Sequence, residues 1–156
     1  MSEALKEAHK ACEKKEVPVG AVLVMDGRIV GRGHNLKESG LDPTAHAEMI
    51  AIKAACAELR CWRLPHSAMF VTLEPCAMCV GAMLSARIES LYYALDEPKS
   101  GAVSSLYRIA DDPRQNHRMK INKGIGAEES GRLLKWFFQE LRRGARAVES
   151  DGLENR

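Results

Sequence analysis

The stretch SAMFVTLEPCAMCVGAMLSAR, residues 67–87, contains the most informative pattern of the chain. Its first part is a short apolar run that predicts a strand. The part from Pro75 onward predicts a helix, because proline is tolerated in the first helical turn. Cys76 and Cys79 are three residues apart, so both face one side of that turn. This spacing suits half of a metal site, a redox dithiol or plain core packing.

The remaining elements surround this strand and helix on both sides in the sequence. Asp26-Gly27 is a turn pair favoured in tight hairpins, so residues 19–35 predict two strands joined there. Helical spacing and turn residues predict helices over 2–15, 45–59 and 127–146 and strands over 88–95 and 117–121. Thr44 is the expected cap of the second helix. This order predicts an α/β fold with one mixed sheet and helices on its faces.

Composition sets broad limits on the protein. The chain has 156 residues, 46% of them hydrophobic and 28% charged, which predicts a single soluble domain over residues 1–146. Residues 147–156 are polar and acidic, and we expect this tail to be disordered. No apolar run is long enough to span a membrane, and residues 1–10 lack the apolar core of a signal peptide. We therefore expect a cytoplasmic protein, and its five irregularly spaced cysteines do not predict a disulfide framework.

Positive charge is concentrated toward the C-terminus. Residues 99–146 contain eleven Lys and Arg against five Asp and Glu, a net charge of +6, although the whole chain has a net charge of only +2. This asymmetry is compatible with a polyanionic partner such as RNA, and equally with a solvated charged face.

One histidine has the position that a metal ligand requires. His46 opens a predicted helix after a loop, and Glu48 follows two residues later. The other four histidines lie within the first helix, in a loop or beside strands (His9, His66, His34 and His117). A histidine at a helix start is also a common capping or surface group. Its proximity to Glu48 favours a functional site at this strand-to-helix junction.

His46, Cys76 and Cys79 together would provide three protein ligands for one ion. Zn²⁺ prefers four ligands in a tetrahedron, so three protein ligands leave the open corner typical of a catalytic zinc. Zinc lowers the pKa of bound water toward about 7, and Glu48 could then take the water's proton. A four-cysteine zinc knuckle would need a second CxxC pair, which the sequence lacks. The early hairpin also does not fit a thioredoxin-like redox protein.

The pattern H-x-E…P-C-x-x-C is the signature of zinc deaminases. Beyond it, the chain closely resembles bacterial tRNA-specific adenosine deaminases, which convert the wobble adenosine of an anticodon to inosine. The matching stretches are EVPVGAVLV (16–24), GHN (33–35), DPTAHAEM (42–49), TLEPCAMC (72–79), GAM…SARI (81–88) and NHR (116–118). The resemblance covers about residues 4–143. It implies a three-layer α-β-α fold with a mixed five-stranded sheet and helices on both sides.

The resemblance also implies roles for individual residues. His46, Cys76 and Cys79 hold one Zn²⁺ per subunit, and Glu48 is the catalytic proton shuttle. Asn35 and the Ala47 backbone bind the flipped purine, although Asn35 also suits an ordinary turn. Asp96, Lys99 and Ser100 in one loop, and Phe137, Phe138, Arg142 and Arg143 in the last helix, are candidates for RNA binding. Phe137 and Phe138 also suit a core stripe, and they cannot both face the same way.

The expected partners are a tRNA anticodon stem-loop and a second copy of the chain. The resemblance implies a homodimer, and apolar helix residues such as Met78, Met83 and Leu84 suit either that interface or the core. Two other functions remain open at this point. One is deamination of a free base or nucleoside such as guanine or cytidine. The other is a non-catalytic zinc or interaction protein, against which the presence of Glu48 argues.

Overall fold

The computed structural model describes the backbone of residues 1–153 and the side chains of residues 1–145. The five strands are β1 (Gly20–Met25), β2 (Arg28–His34), β3 (Ser67–Val71), β4 (Ser90–Tyr93) and β5 (Lys120–Lys123). The four helices are α1 (Ser2–Glu13), α2 (Ala47–Leu59), α3 (Ala77–Ser85) and α4 (Ala127–Leu153). The predicted order of elements is confirmed.

The strands form one sheet in the order β2-β1-β3-β4-β5. β1 runs antiparallel to both of its neighbours, whereas β3, β4 and β5 run parallel. The predicted hairpin between β1 and β2 closes at Asp26 and Gly27, whose φ angles are 51° and 72°. Positive φ at both central residues is the geometry of a tight hairpin turn that matches the twist of the strands. The predicted mixed five-stranded sheet is therefore confirmed.

Glycines allow two helices to lie directly on the sheet. A Cβ atom at Gly31 or Gly33 of β2 would lie 2.2 Å from a carbonyl oxygen of α2. Gly20 of β1 faces the other side, where a Cβ atom would lie 2.0 Å from the carbonyl oxygen of Ala4 in α1. The two helices therefore cover opposite faces, and α3 contacts α2 while α4 contacts α1. The predicted three layers are confirmed.

The main core lies between the sheet and the α2–α3 layer. Its largest fully buried side chains include Leu23, Met69, Leu91 and Tyr93 from the strands and Met83 from α3. Burial of such apolar side chains is the dominant favourable contribution to folding. Parallel strands β3 and β4 end beside this core, close to the starts of α2 and α3. The fold thus brings two helix N-termini to one edge of the sheet.

Two details differ from the sequence-based expectations. The Thr44 hydroxyl donates a hydrogen bond to Asp42 at 2.7 Å, so α2 begins instead after His46, which is its N-cap residue. α4 continues to Leu153, beyond residue 146, where the sequence predicts its end. Residues 154–156 lie outside the described part of the chain. Within the described residues, no helix is long and apolar enough to cross a membrane.

Candidate metal centre and active site

The starts of α2 and α3 place the predicted ligands. His46 and Cys76 are the N-cap residues of these helices, and both have extended backbone conformations. Neither side chain makes a capping hydrogen bond within its own helix. Each is therefore free to point across the gap between the two helix starts. Cys79 lies in the first turn of α3 and is fully buried.

The three side chains converge on one point. Nδ1 of His46 lies 3.6 Å from Sγ of Cys76 and 3.6 Å from Sγ of Cys79. All three potential ligand atoms lie within 4.8 Å of one another. Tetrahedral zinc with Zn–S of about 2.3 Å and Zn–N of about 2.0 Å requires a sulfur-to-nitrogen distance of about 3.5 Å. The observed arrangement of one imidazole and two thiols fits a zinc ion.

The electrostatics of the thiols also suit a cation. A hydrogen bond from Cys79 lowers the pKa of Cys76 to about 3, while the same interaction and burial raise the pKa of Cys79. Cys76 is therefore the more acidic of the two thiols. A hydrogen bond with Cys76 raises the pKa of His46. Because thiolates are the metal-binding form of cysteine, the lowered pKa of Cys76 suits a metal ligand.

Glu48 lies in the first turn of α2, beside the ligand group, and its side chain is only 4% exposed. Burial raises the pKa of this carboxyl to about 7, before the charge of a bound cation is counted. A carboxyl group with a pKa near the working pH can both accept and return a proton. The structure thus places a potential proton carrier next to a group that could hold a metal.

A cavity of about 170 Å³ opens above these side chains. Its lining comprises Val17, Val19, Asn35, Lys37, His46, Ala47, Glu48, Leu73, Glu74, Cys76 and Ser100. The walls are mainly apolar, with a few polar groups that converge toward the floor, which is the usual build of a small-molecule site. The predicted residues Asn35, Ala47 and Ser100 all line this cavity. Asn35 as a whole is 9% exposed, and its backbone N–H donates a hydrogen bond to the Val19 carbonyl at 3.1 Å.

The other residues of the predicted RNA-binding loop lie outside the cavity. Asp96 accepts a hydrogen bond from the Tyr93 hydroxyl at 3.1 Å and forms an ion pair with Lys123 at 3.2 Å. Lys99 lines a second, more open cavity of about 470 Å³ beside α4, which we call the outer hollow. Since Ser100 lines the first cavity, this loop lies between the two. Asp96 is therefore engaged within the fold, and Lys99 faces the outer hollow.

The last helix places its aromatic residues in opposite directions. Phe137 is 5% exposed and packs into the fold, whereas Phe138 is 44% exposed and lines the outer hollow. Phe137 is thus buried in the fold, and Phe138 is the more accessible of the two rings. Arg142 lines the same hollow and donates to the Phe138 carbonyl at 3.2 Å. Arg143 instead pairs with Glu140 at 2.9 Å.

Five cavity residues are not among the site residues predicted from the sequence: Val17, Val19, Lys37, Leu73 and Glu74. Lys37 is the one basic side chain of the cavity lining. It lies two residues after Asn35, but lysine in a loop carries no pattern that would reveal this position. Glu74 stands directly before Pro75, where it reads as an ordinary polar residue at a strand end.

Comparisons with known proteins agree with this site. Residues 1–95 match the model of the cytidine and deoxycytidylate deaminase zinc-binding region. The chain is 44% identical over 151 residues to a tRNA-specific adenosine deaminase of Bacillus subtilis, covering 97% of this chain and 94% of that protein. It is 47% identical over 139 residues to a tRNA-specific adenosine deaminase of Aquifex aeolicus, covering 89% and 91%.

A solved structure extends the comparison to three dimensions. It comes from a study of A-to-I editing by tRNA:A34 deaminases at the wobble position of transfer RNA, and it matches with a TM-score of 0.82. The two are 46% identical over 86% of this chain and 97% of that one. The predicted fold class and the zinc cofactor are confirmed. The chain belongs to the tRNA-specific adenosine deaminases, a group within the zinc-binding cytidine and deoxycytidylate deaminase family.

Proposed function

We propose that this chain converts adenosine at the wobble position of a tRNA anticodon to inosine, using water and releasing ammonia. The observation that carries the proposal is the group of His46, Cys76 and Cys79, with Glu48 buried beside it in the floor of a cavity. The relatives that are 44–47% identical over nearly their whole length are named for this activity.

The metal is held by the three converging side chains. His46, Cys76 and Cys79 would hold one zinc ion, and three protein ligands are the number typical of catalytic zinc sites. Zinc supplies Lewis acidity that makes water a nucleophile at neutral pH. The N-termini of α2 and α3 add partial positive charge, which favours the thiolate form of the cysteines.

Glu48 moves the protons of the reaction. Its carboxylate accepts a proton from the attacking water as the water oxygen bonds to C6 of adenine. It delivers this proton to the ring nitrogen, then takes the second proton from the hydroxyl now on C6 and passes it to the exocyclic amine, which leaves as ammonia as the C6–N bond breaks and the C6 carbonyl forms. Burial keeps bulk water away from this carboxyl group and fixes its position in the first turn of α2.

The cavity holds a single base outside the RNA stack. An enzyme that acts on a base must extrude it into a closed pocket, and a loop base costs less to unstack than a duplex base. Asn35 and the backbone of Ala47 bind the edge of the purine. The apolar side chains of Val19 and Leu73 contact its faces. Lys37 adds a positive charge beside the sugar–phosphate backbone of the extruded nucleotide.

The surface outside the cavity binds the rest of the anticodon stem-loop. Lys99, Phe138 and Arg142 line the outer hollow, where cations can contact phosphates and an exposed ring can stack on a base. Ser100 lies on the cavity side of the same loop. Asp96 contributes by holding this loop against Tyr93 and Lys123 rather than by touching RNA.

The protein acts as a cytoplasmic homodimer in this proposal. Met83 is fully buried in the core, and Met78 and Leu84 are partly buried against it. The remaining exposed parts of α3 side chains are available to a second copy. Light scattering after size-exclusion chromatography tests the assembly, and a mass equal to one chain would contradict it.

The test of the activity uses purified, zinc-loaded protein and four substrates: an anticodon stem-loop with adenosine at the wobble position, free adenosine, guanine and cytidine. We expect inosine in the RNA, found by sequencing and nucleoside analysis, and no ammonia from the free compounds. A Glu48→Gln protein serves as the inactive control. Ammonia from guanine or cytidine without inosine in RNA would instead support the free-base deaminase.

A further inference from the structure

Glu74 is a buried carboxylate that the proposed chemistry does not use. Its residue is 3% exposed. Its Oε1 accepts hydrogen bonds from the N–H groups of Val103, Ser104 and Ser105 at 3.0, 2.7 and 3.0 Å. Its Oε2 accepts from the N–H of Glu97 at 2.9 Å and from the Ser105 hydroxyl. Five donors from one loop therefore surround a single carboxylate.

This arrangement is suited to an ionised side chain. All five of its partners are hydrogen-bond donors, and an ionised carboxylate, which has acceptor oxygens only, can accept from all of them. A charged, multiply bonded carboxylate holds backbone donors more strongly than a neutral group does. Both ends of the segment 97–105, which we call the pocket loop, are thereby tied to one side chain.

The pocket loop is also attached to the metal corner, by which we mean the group of His46, Cys76 and Cys79. The attachment is made through the two residues that follow Glu74. The N–H of Ala102 donates to the Pro75 carbonyl at 2.9 Å, and Gly101 pairs with Cys76 in an isolated antiparallel bridge. Ser100, which directly precedes Gly101 in the loop, lines the cavity. The wall of the cavity is therefore built on the same three-residue segment that supplies a metal ligand.

Gly101 leaves the room that this attachment needs. A Cβ atom at this position would lie 2.4 Å from the carboxylate carbon of Glu74 and 2.6 Å from the Glu97 carbonyl oxygen. Any larger residue would push the loop away from the carboxylate. The small size of Gly101 and the hydrogen bonds of Glu74 thus both contribute to the contact between the pocket loop and the carboxylate.

We propose that Glu74 is a positioning residue, which holds the pocket loop where Ser100 completes the cavity wall and so sets the affinity for the substrate RNA. It acts through the loop and does not contact the reacting atoms. This inference rests on the proposed function for its substrate. A purely structural role would lower the stability of the whole fold and leave the affinity of the folded fraction unchanged.

The principal test is Glu74→Gln. An amide has one acceptor oxygen, so at least one loop N–H would face an NH₂ group instead of an acceptor. We expect the KM for the anticodon stem-loop to rise about tenfold, the size expected for one charge-assisted hydrogen bond. The kcat should stay within about twofold of wild type because Glu48 is untouched. Zinc content should be unchanged, and amide hydrogen exchange should accelerate in residues 97–105.

Glu89→Gln is the matched control. This carboxylate is exposed, pairs with Lys120 and His66, and does not line the cavity. Its removal should leave KM, kcat and the exchange of the pocket loop as in the wild type. A rise in KM for both variants would show that the effect does not depend on the pocket loop, and would overturn the role of Glu74.

Gly101→Ala provides a second route to the same contact with the carboxylate left in place. We expect it to raise KM and accelerate exchange in the pocket loop as Glu74→Gln does. Folded, zinc-loaded variants with wild-type KM and wild-type exchange would overturn the proposal. If the wild type makes no inosine in RNA, the proposed function fails. The pocket-loop proposal is then decided by exchange and by the Kd for the stem-loop, measured by fluorescence anisotropy.

Discussion

The metal corner and the outer hollow adjoin the same pocket loop but are built differently. The metal corner consists of His46, Cys76 and Cys79, which lie at or within the first turns of two helices and converge within 4.8 Å. The hollow is lined by Lys99 from a loop and by Phe138 and Arg142 from α4, nearly forty residues later in the chain. One is fixed by local backbone geometry and the other by the docking of distant elements.

This difference predicts two kinds of response to substitution. The corner is a single unit, because each ligand is useful only when the others are present. The hollow is a set of separate exposed contacts, and contacts that share no partner contribute nearly additively. Substitutions in the corner should therefore abolish activity, whereas those in the hollow should reduce affinity by graded amounts.

The largest effect is expected from removing a ligand. In Cys76→Ala two protein ligands remain, so the zinc content of the purified protein should fall well below one per chain. Activity should fall by more than about 10³-fold, since the residual site cannot hold the ion that activates water. Metal analysis beside a single-turnover inosine assay measures both. A variant with full zinc and high activity would show that Cys76 is not a ligand.

Glu48→Gln should separate proton transfer from metal binding. The amide keeps the size of the side chain but cannot accept and return a proton, so kcat should fall by about 10²–10⁴-fold. Zinc content and the Kd for the stem-loop should stay as in the wild type. Loss of zinc together with loss of activity would assign Glu48 to the corner as a structural member instead of a proton carrier.

The convergence of the corner could be predicted from the sequence for a local reason. Cys76 and Cys79 are three residues apart at a helix start, and that spacing alone puts both sulfurs on one side. The order of strands and helices then places the starts of α2 and α3 at one edge of the sheet. The Asp26-Gly27 turn was likewise predictable, because few other pairs tolerate positive φ at both positions.

What the sequence could not reveal depends on contacts between distant residues. Spacing shows that Phe137 and Phe138 face different ways, but only the docking of α4 decides which ring is buried. Lys37 reaches the cavity because its loop folds over the corner, and no periodic pattern marks that. Thr44 resembled a helix cap, yet Asp42 lies close enough to take its hydroxyl hydrogen bond. Each of these outcomes depends on competition between alternative contacts, which local propensity does not describe.

The two phenylalanines provide the next test of the comparison. Phe138→Ala should weaken stem-loop binding by about tenfold, since stacking on an exposed ring contributes roughly 1–3 kcal/mol per base. The free energy of unfolding should hardly change. Phe137→Ala should lower that free energy by about 3–5 kcal/mol because it removes a buried ring. The Kd of its folded fraction should remain near wild type, and a Kd loss confined to Phe137→Ala would contradict this assignment.

Substitution of Glu16 tests how much this side chain stabilises the loop that contains Lys37 beside the cavity. This buried carboxylate accepts hydrogen bonds from the Ser39 N–H at 2.6 Å, the Ser39 hydroxyl at 2.8 Å and the Glu38 N–H at 3.2 Å. Burial raises the pKa of Glu16, but these bonds outweigh it and lower the pKa below the usual value. Glu16→Gln should cost about 1–2 kcal/mol of unfolding free energy at pH 7.

The pH dependence of that cost follows from the direction of the shift. A carboxylate with a lowered pKa in the folded state contributes stability that is present above its unfolded pKa, near 4.5, and is lost as pH falls further. The difference between wild type and Glu16→Gln should therefore be constant from pH 7 to about pH 5 and shrink below that. Urea unfolding at several pH values measures it. A difference that grows toward acid pH would mean that Glu16 is protonated in the folded protein.

The smallest effect should come from a single cation of the hollow. Lys99→Ala should weaken stem-loop binding only severalfold at moderate salt, and it should reduce the slope of log Kd against log salt concentration by about 0.7–0.9, the value for one phosphate contact. Lys6→Ala is the matched control, because Lys6 pairs with Glu3 on α1 and lines neither cavity. An unchanged slope in Lys99→Ala would remove this lysine from the RNA interface. A loss as large as that of Cys76→Ala would instead show that hollow and corner act as one unit.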